Sequence, residues 1–286
     1  MRLSFLASFL LLCFSSVAQS SAIDQRLETE KNIQESNFAI IPYKPNYLLP
    51  FNYNAKIADD EVYSETLDEG KQYQPVELKF QFSFKIPLLT QMVKEPFALY
   101  FGYTQVSFWQ AYNSDNSSPF RETNYEPEIF GLWKKDIPLF DDWNFKFVTL
   151  NLTHQSNGQS GDISRSWNRI ESKFVFEKNN LSFVISPWVR INEDSSDDDN
   201  PDLVDYYGHG SFNAVYVMDN NTLSMTARNN LESGFSRGSV EVNWSFPMGG
   251  HLRGYLQAFS GYGNSLIEYN KYTNTIGLGI SLTDWL

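Results

Sequence analysis

Residues 76–86 read VELKFQFSFKI, and the order of side chains in this stretch decides the fold. Val76, Leu78, Phe80, Phe82, Phe84 and Ile86 are apolar, while Glu77, Lys79, Gln81, Ser83 and Lys85 between them are polar. A period of two puts each set on its own face of a β-strand, whereas a helix would mix them. The closing segment repeats the pattern, with Ile276, Leu278, Ile280 and Leu282 set against Gly277, Gly279, Ser281 and Thr283. Similar runs fall near 97–110, 126–134, 143–156, 164–177, 180–192, 209–219, 221–230, 238–248 and 251–261. Turn-forming clusters such as Glu177-Lys-Asn-Asn180 and Asp219-Asn-Asn-Thr222 join them. With a further strand near 40–53 the count is about 12, an even number, as in bacterial barrels.

No apolar run beyond residue 22 approaches the roughly 20 residues that a membrane helix requires. Strands of about ten residues, apolar on one face and small or polar on the other, joined alternately by tight turns and longer loops, describe a transmembrane β-barrel. The expected fold is all-β, a 12-stranded antiparallel transmembrane barrel. A soluble lipocalin-like barrel or a sandwich shares the alternation with its apolar face turned inward. Strand length, an export signal and a 16% aromatic content favour the membrane form, in which Tyr and Trp form interfacial girdles. The chain ends Trp285-Leu286, where such barrels usually end on an aromatic residue.

Residues 1–18 carry one basic residue, Arg2, then an apolar run closing on small residues at Ser16 and Ala18, and read as a secretory signal peptide. A later cut after Ala22 is equally compatible with the small residues there. The lone Cys13 lies inside that signal, so neither a thiol nor a disulfide is expected in the exported chain. Residues 19–40 are expected to form a periplasmic N-terminal segment, and 41–286 the barrel. The formal charge of -12 becomes more negative once Arg2 is removed, which argues against nucleic acid as a partner. The run 193–202, EDSSDDDNPD, reads as a solvated acidic loop without the glycine and closing glutamate of an EF-hand.

Between two of the strands lies 151–169, NLTHQSNGQSGDISRSWNR. His154 and Ser156 continue the parity of Val148, Leu150 and Leu152, and Asn168 that of Ile170, Phe174 and Phe176. All three are therefore expected on the lipid-facing wall near the membrane surface, where polar side chains are costly and usually mark function. An imidazole two residues from a serine on one face can accept its proton, and Asn168 can fix the ring tautomer. The same residues would also suit an ordinary solvated hairpin tip. Asparagine carries no charge, so the imidazolium would need another source of stabilisation. His209 and His251 have no such neighbours and are expected to be structural. No G-x-S-x-G elbow, H-E-x-x-H or phosphate loop occurs.

The chain resembles the bacterial outer-membrane phospholipase A family. The likeness rests on His154-Gln-Ser-Asn-Gly158, Ser164-Arg-Ser-Trp-Asn-Arg169, Ser117-Ser-Pro-Phe-Arg-Glu-Thr-Asn-Tyr-Glu-Pro127, Asp199-Asn-Pro-Asp202 and Ser260-Gly-Tyr-Gly-Asn-Ser-Leu-Ile-Glu-Tyr269. It implies Ser156 as nucleophile, His154 as general base and acid, Asn168 as the group orienting it, and the Gly158 amide as oxyanion donor. It also implies a homodimer holding Ca2+ at its interface through Ser117 of the partner subunit, Gln159 and Ser164, with a calcium-polarised water completing the oxyanion site. The implied substrates are phospholipids and lysophospholipids of the outer membrane. Gln159 departs from the arginine typical of the family, and Ser118 beside Ser117 leaves that ligand open between the two. Gln105, in phase with Phe97, Leu99, Phe101 and Tyr103, resembles the polar residue that the family buries between subunits; it would equally suit a strand end.

Two other functions fit a barrel. A passive pore would work through lumen residues such as Glu77, Lys79, Gln81, Lys85 and Arg253. A receptor or adhesin would work through the outer loops.

Overall fold

A sheet with one polar and one apolar face leaves its two edge strands unpaired unless it closes on itself. The computed structural model describes residues 21–34, 39–54, 56–57, 71–90, 97–194, 196–250 and 252–285. The signal reading of residues 1–18 and the reading of His251 fall outside them. Among the described residues twelve antiparallel strands form a closed wall: β1 Asn46–Asn54, β2 Val76–Thr90, β3 Phe97–Trp109, β4 Phe120–Pro138, β5 Asn144–Ser156, β6 Ser166–Lys178, β7 Leu181–Ile191, β8 Gly210–Met218, β9 Asn221–Asn229, β10 Gly238–Gly249, β11 Leu252–Tyr262 and β12 Tyr272–Thr283. Each strand pairs with its sequence neighbours, β12 pairs back onto β1, and the two-residue bridge Ile41–Pro42 adds to β2. The closing seam is tight. A Cβ on Gly279 would lie 2.0 Å from the Leu48 carbonyl oxygen, so the glycine lets the last strand approach the first.

The wall carries its apolar side chains outward, as Leu152 at 56% and Ile170 at 48% exposure show. The lumen is polar and packed. Arg121 and Glu77, both fully buried, pair at 2.8 Å, and Arg121 reaches Glu268 at 3.1 Å. Lys79 donates to Gln257 at 2.6 Å, which donates to Asn243 at 2.9 Å. Lower down, Arg169 pairs with Glu126 at 3.0 Å, and Lys173 with Glu128 and Glu171 at 3.5 and 3.4 Å. Gln81 and Arg253 are likewise bonded, to Pro45 and Ser245. A cavity of about 430 Å³ remains inside.

Strand β4 is longer than the expected 126–134. Its first half alternates too, but through Glu122, Asn124 and Glu128, polar residues buried in the lumen. Here the outward face carries Thr123 and Pro127 around Tyr125, so the strand lacks the unbroken apolar face seen in β2. Near its far end Asp136 takes φ 53° and the register to β5 slips between Lys134 and Ile137, a bulge that carries the strand on to Pro138.

Both described chain ends lie at the end of the barrel with tight turns, for example 179–180 and 219–220. There helix α1, Ala22–Gln34, is bound to the barrel. Ser21 caps it by accepting the Asp24 amide at 3.1 Å. The Ile23 amide donates to Glu177 at 3.1 Å, Asp24 pairs with Lys146 at 2.9 Å, and Glu30 pairs with Lys85 at 2.8 Å and Arg26 at 2.9 Å. Arg26 also donates to the carbonyls of Pro42 and Tyr43, at 3.0 and 2.8 Å, and to that of Trp285. Burial alone would raise the Glu30 carboxyl, but Lys85 and Arg26 hold it below the usual carboxylate range.

At the opposite end the longer loops fold inward. Trp167, Trp188, Leu203, Tyr207, Leu266 and Tyr269 form an apolar cluster beneath them, with Leu203–Tyr207 as the short helix α2. This cluster of buried side chains lies beneath the loops at the outer mouth.

Candidate active site

The long-loop end of β5 and β6 carries the polar trio. The register opposes Leu152 to Ile170, His154 to Asn168 and Ser156 to Ser166, so the imidazole and the amide are cross-strand neighbours on the outer wall. His154 Nδ1 and Asn168 Oδ1 are 2.9 Å apart. His154 is exposed, and Ser156 and Asn168 are half-buried. Ser156 shares the face of His154 two residues along β5, and no hydrogen bond joins its hydroxyl to the ring among the described residues. Tyr125 of β4 lies opposite Ser156 on the other side.

The loop 157–165 between these strands is held by Asn157, whose side chain is buried. Its Nδ2 donates to the Ile163 carbonyl at 2.8 Å, and its Oδ1 accepts the amides of Arg165 at 3.0 Å and Gln159 at 3.3 Å. Gly158 takes φ 67°, and a Cβ there would lie 3.0 Å from the Tyr125 ring. A side chain there would be strained by conformation and would crowd the Tyr125 ring. The Gly158 amide donates to no group among the described residues. Gln159 is exposed, and Ser164 Oγ donates to Asp199 Oδ2 at 2.6 Å.

Ser117 stands apart, in the loop between β3 and β4, and no hydrogen bond joins it to the trio or to Ser164 among the described residues. Ser117 and Ser118 both take left-handed conformations, at φ 57° and 49°. Ser118 is occupied internally: its hydroxyl donates to Ala111 at 3.3 Å and its carbonyl accepts Trp109 Nε1 at 2.8 Å. The exposed hydroxyl is that of Ser117. Gln105 also finds partners within the chain, accepting from Tyr103 at 2.9 Å and donating to Ser107 at 3.0 Å.

The acidic run, exposed at Asp194, Ser196, Asp197 and Asp199 as a solvated loop would be, is also anchored beside the site. Asn200, at 0% exposure, accepts the Ser166 amide at 3.0 Å, and Arg190 pairs with Asp198 at 2.6 Å. This brings Asp199 to Ser164 and Glu193 to Asn168, whose Nδ2 donates to Glu193 Oε1 at 2.7 Å. Composition conceals this, because six carboxylates in ten residues look alike until one buried asparagine fixes the backbone. Asn157 was equally hidden: nothing in its spacing separates it from the other polar residues of the loop.

The phospholipase A1 family matches residues 23–282. The chain belongs to this family. Among curated relatives, the phospholipase A1 of Escherichia coli K12 is 35% identical over 250 residues, covering 87% of this chain and 83% of that one. That of Proteus vulgaris is 33% identical over 283 residues, covering 96% and 95%. Among solved structures, outer membrane phospholipase A from Escherichia coli superposes with a TM-score of 0.80 at 34% identity, covering 87% of this chain and all of that one. A Salmonella typhi outer membrane phospholipase, solved as a dimer with bound calcium, superposes with a TM-score of 0.81 at 34% identity over 90% and 97%. The protein is accordingly an outer-membrane β-barrel enzyme of the phospholipase A type. The lumen residues on which the pore reading relied are each bonded to another group of the barrel or its helix: Glu77 to Arg121, Lys79 to Gln257, Gln81 to Pro45, Lys85 to Glu30 and Arg253 to Ser245, which favours a packed, hydrogen-bonded lumen over a channel.

Proposed function

We propose that the protein hydrolyses acyl esters of phospholipids and lysophospholipids, at either acyl position, through Ser156, His154 and Asn168. The observation that carries this is the 2.9 Å contact between His154 and Asn168 on the lipid-facing wall, two residues from Ser156. A phospholipid in the outer leaflet can reach these residues laterally. Ser156 Oγ attacks the ester carbonyl as His154 Nε2 takes its proton, and Asn168 keeps Nδ1 protonated. As the ester C–O bond breaks, the imidazolium returns the proton to the leaving alkoxide and lysophospholipid departs. Water then adds to the acyl-serine with His154 again as base, and fatty acid is released. The Gly158 amide supports an oxyanion role, since it is unoccupied and sits on a loop that Asn157 holds rigid.

The donor set suits a hard cation. Ser164 Oγ, the adjacent Asp199 carboxylate and the Gln159 carbonyl are oxygens, the ligands Ca2+ prefers, and they fall short of the six to eight it takes. A second copy supplying Ser117 of the partner subunit would add to them, so the proposed site is completed by homodimerisation. Ca2+ would contribute positive charge beside the developing oxyanion. Fatty-acid release from mixed micelles, by wild type and Ser156→Ala, with calcium and with chelator, tests the reading. Release that requires both Ser156 and calcium supports it; equal activity in folded Ser156→Ala overturns the nucleophile assignment.

A further inference from the structure

An asparagine beside a catalytic imidazole has a weakness that an aspartate lacks. Its side-chain amide can rotate by half a turn, presenting NH2 in place of oxygen. With Oδ1 toward His154, the ring carries its proton on Nδ1 and leaves the Nε2 lone pair free to accept from Ser156. With NH2 toward it, Nδ1 must be the acceptor, Nε2 carries the proton, and the ring cannot act as base. Something must therefore choose between the two orientations. A carboxylate on the far side of the amide does so, because it accepts and never donates. Asn168 Nδ2 donates to Glu193 Oε1 at 2.7 Å, on the side opposite its 2.9 Å contact with His154.

We infer that Glu193 is a positioning residue for the proposed site, acting through Asn168 to fix the His154 tautomer and to place a negative charge one amide away from the imidazole. The inference rests on the function proposed above. Glu193 is set in place by the fold. Ile191, the last residue of β7, pairs with Asn168, and Glu193 follows two residues later, in a loop pinned by Asn200 and Arg190. The bond to a charged acceptor is stronger than one between neutral groups and polarises the amide, deepening the negative end that faces the ring. Thus the charge that Asn168 lacks is supplied by the next residue outward. Among the described residues Glu193 is bonded to Asn168 and not to Gln159, Ser164 or Asp199, so its removal should alter turnover and leave substrate affinity and calcium response alone.

The test measures kcat, KM and the calcium concentration for half activation on the full-length protein in mixed micelles. The variants are Glu193→Ala, Glu193→Asp, Glu193→Gln, Asn168→Ala and the pair Asn168→Ala with Glu193→Ala. Glu193→Ala should lower kcat about tenfold at unchanged KM. Glu193→Asp should recover most of the loss, and Glu193→Gln, whose amide can donate as well as accept, should recover little. In the Asn168→Ala background the Glu193→Ala change should have no further effect, because the route to the imidazole is already cut. An equal loss in both backgrounds, or a shifted calcium midpoint, overturns the inference by showing that Glu193 acts elsewhere. Full activity of Glu193→Ala where Asn168→Ala is impaired overturns it while leaving the proposed site intact; full activity of Asn168→Ala overturns both. Heat-dependent mobility of the folded barrel on gels confirms that each variant is compared in its native state.

Discussion

Two sets of polar residues lie back to back on the same wall. On the lumen side are Glu77, Arg121, Glu126, Arg169 and Lys173, charged, buried or nearly so, and paired. On the lipid side are His154, Ser156 and Asn168, without a carboxylate or guanidinium among them, exposed or half-buried, with one hydrogen bond between two of them. The lumen set looks more like a catalytic centre, with its carboxylates, guanidiniums and tight pairs. Yet every one of those charges is answered by another, and such a network holds a barrel together from within. The outer set is left partly unsatisfied in the place where polarity is costliest, and that imbalance marks chemistry.

The contrast can be broken most sharply at Ser156. Replacement by alanine should lower fatty-acid release by at least about 10³-fold while leaving heat-dependent gel mobility unchanged. Equal loss on replacing a lumen charge, at equal folded content, would erase the distinction. Arg121→Ala addresses that side. It strands Glu77 and Glu268 in the lumen and should destabilise the barrel by about 3–5 kcal/mol, read as a lowered midpoint of urea unfolding, with activity per folded molecule retained. Asn157→Ala lies between the two. It removes three bonds of the loop bearing Gly158 and Ser164, and should cost on the order of 1–3 kcal/mol locally, seen as faster hydrogen exchange across 157–165 and a several-fold loss of kcat.

The smallest effect concerns helix α1. The folded Glu30 carboxyl lies below its ordinary value of 4.5, so its contribution to docking is fully present above that pH and is lost as pH falls through the depressed value. A fluorophore at the start of the helix should gain mobility as the pH drops below about 4, with the barrel wall unaffected. Unchanged mobility down to that range would mean that other contacts hold α1 alone.

How much of this was legible beforehand follows the same contrast. Alternation with an apolar outer face was readable at β2 and β12, and the parity of His154, Ser156 and Asn168 placed them correctly on the outer wall because a strand's period leaves no choice once its apolar partners are known. Where the outward face is interrupted, as by Thr123 and Pro127 in the first half of β4, the period of two is harder to see. The acidic run 193–202 was harder still. Its fold depends on Asn200 and Arg190 bonding across to β6 and within the loop, contacts between distant residues that no local pattern encodes. Glu193 is the clearest case: its link to Asn168 joins two residues whose sequence neighbourhoods have nothing in common.

The anchorage of α1 also fixes an order of events. Its partners are Pro42 and Tyr43 ahead of the first strand, Lys85 on β2, Lys146 on β5, Glu177 on β6 and Trp285 beyond the last strand. No partly assembled sheet offers all of them, because the two ends of the chain meet only when β12 joins β1. Helix α1 can therefore complete its set of contacts only after the wall has closed. Through Arg26 it ties residues ahead of the first strand to those beyond the last, so its full docking is a mark of a wall with no open edge.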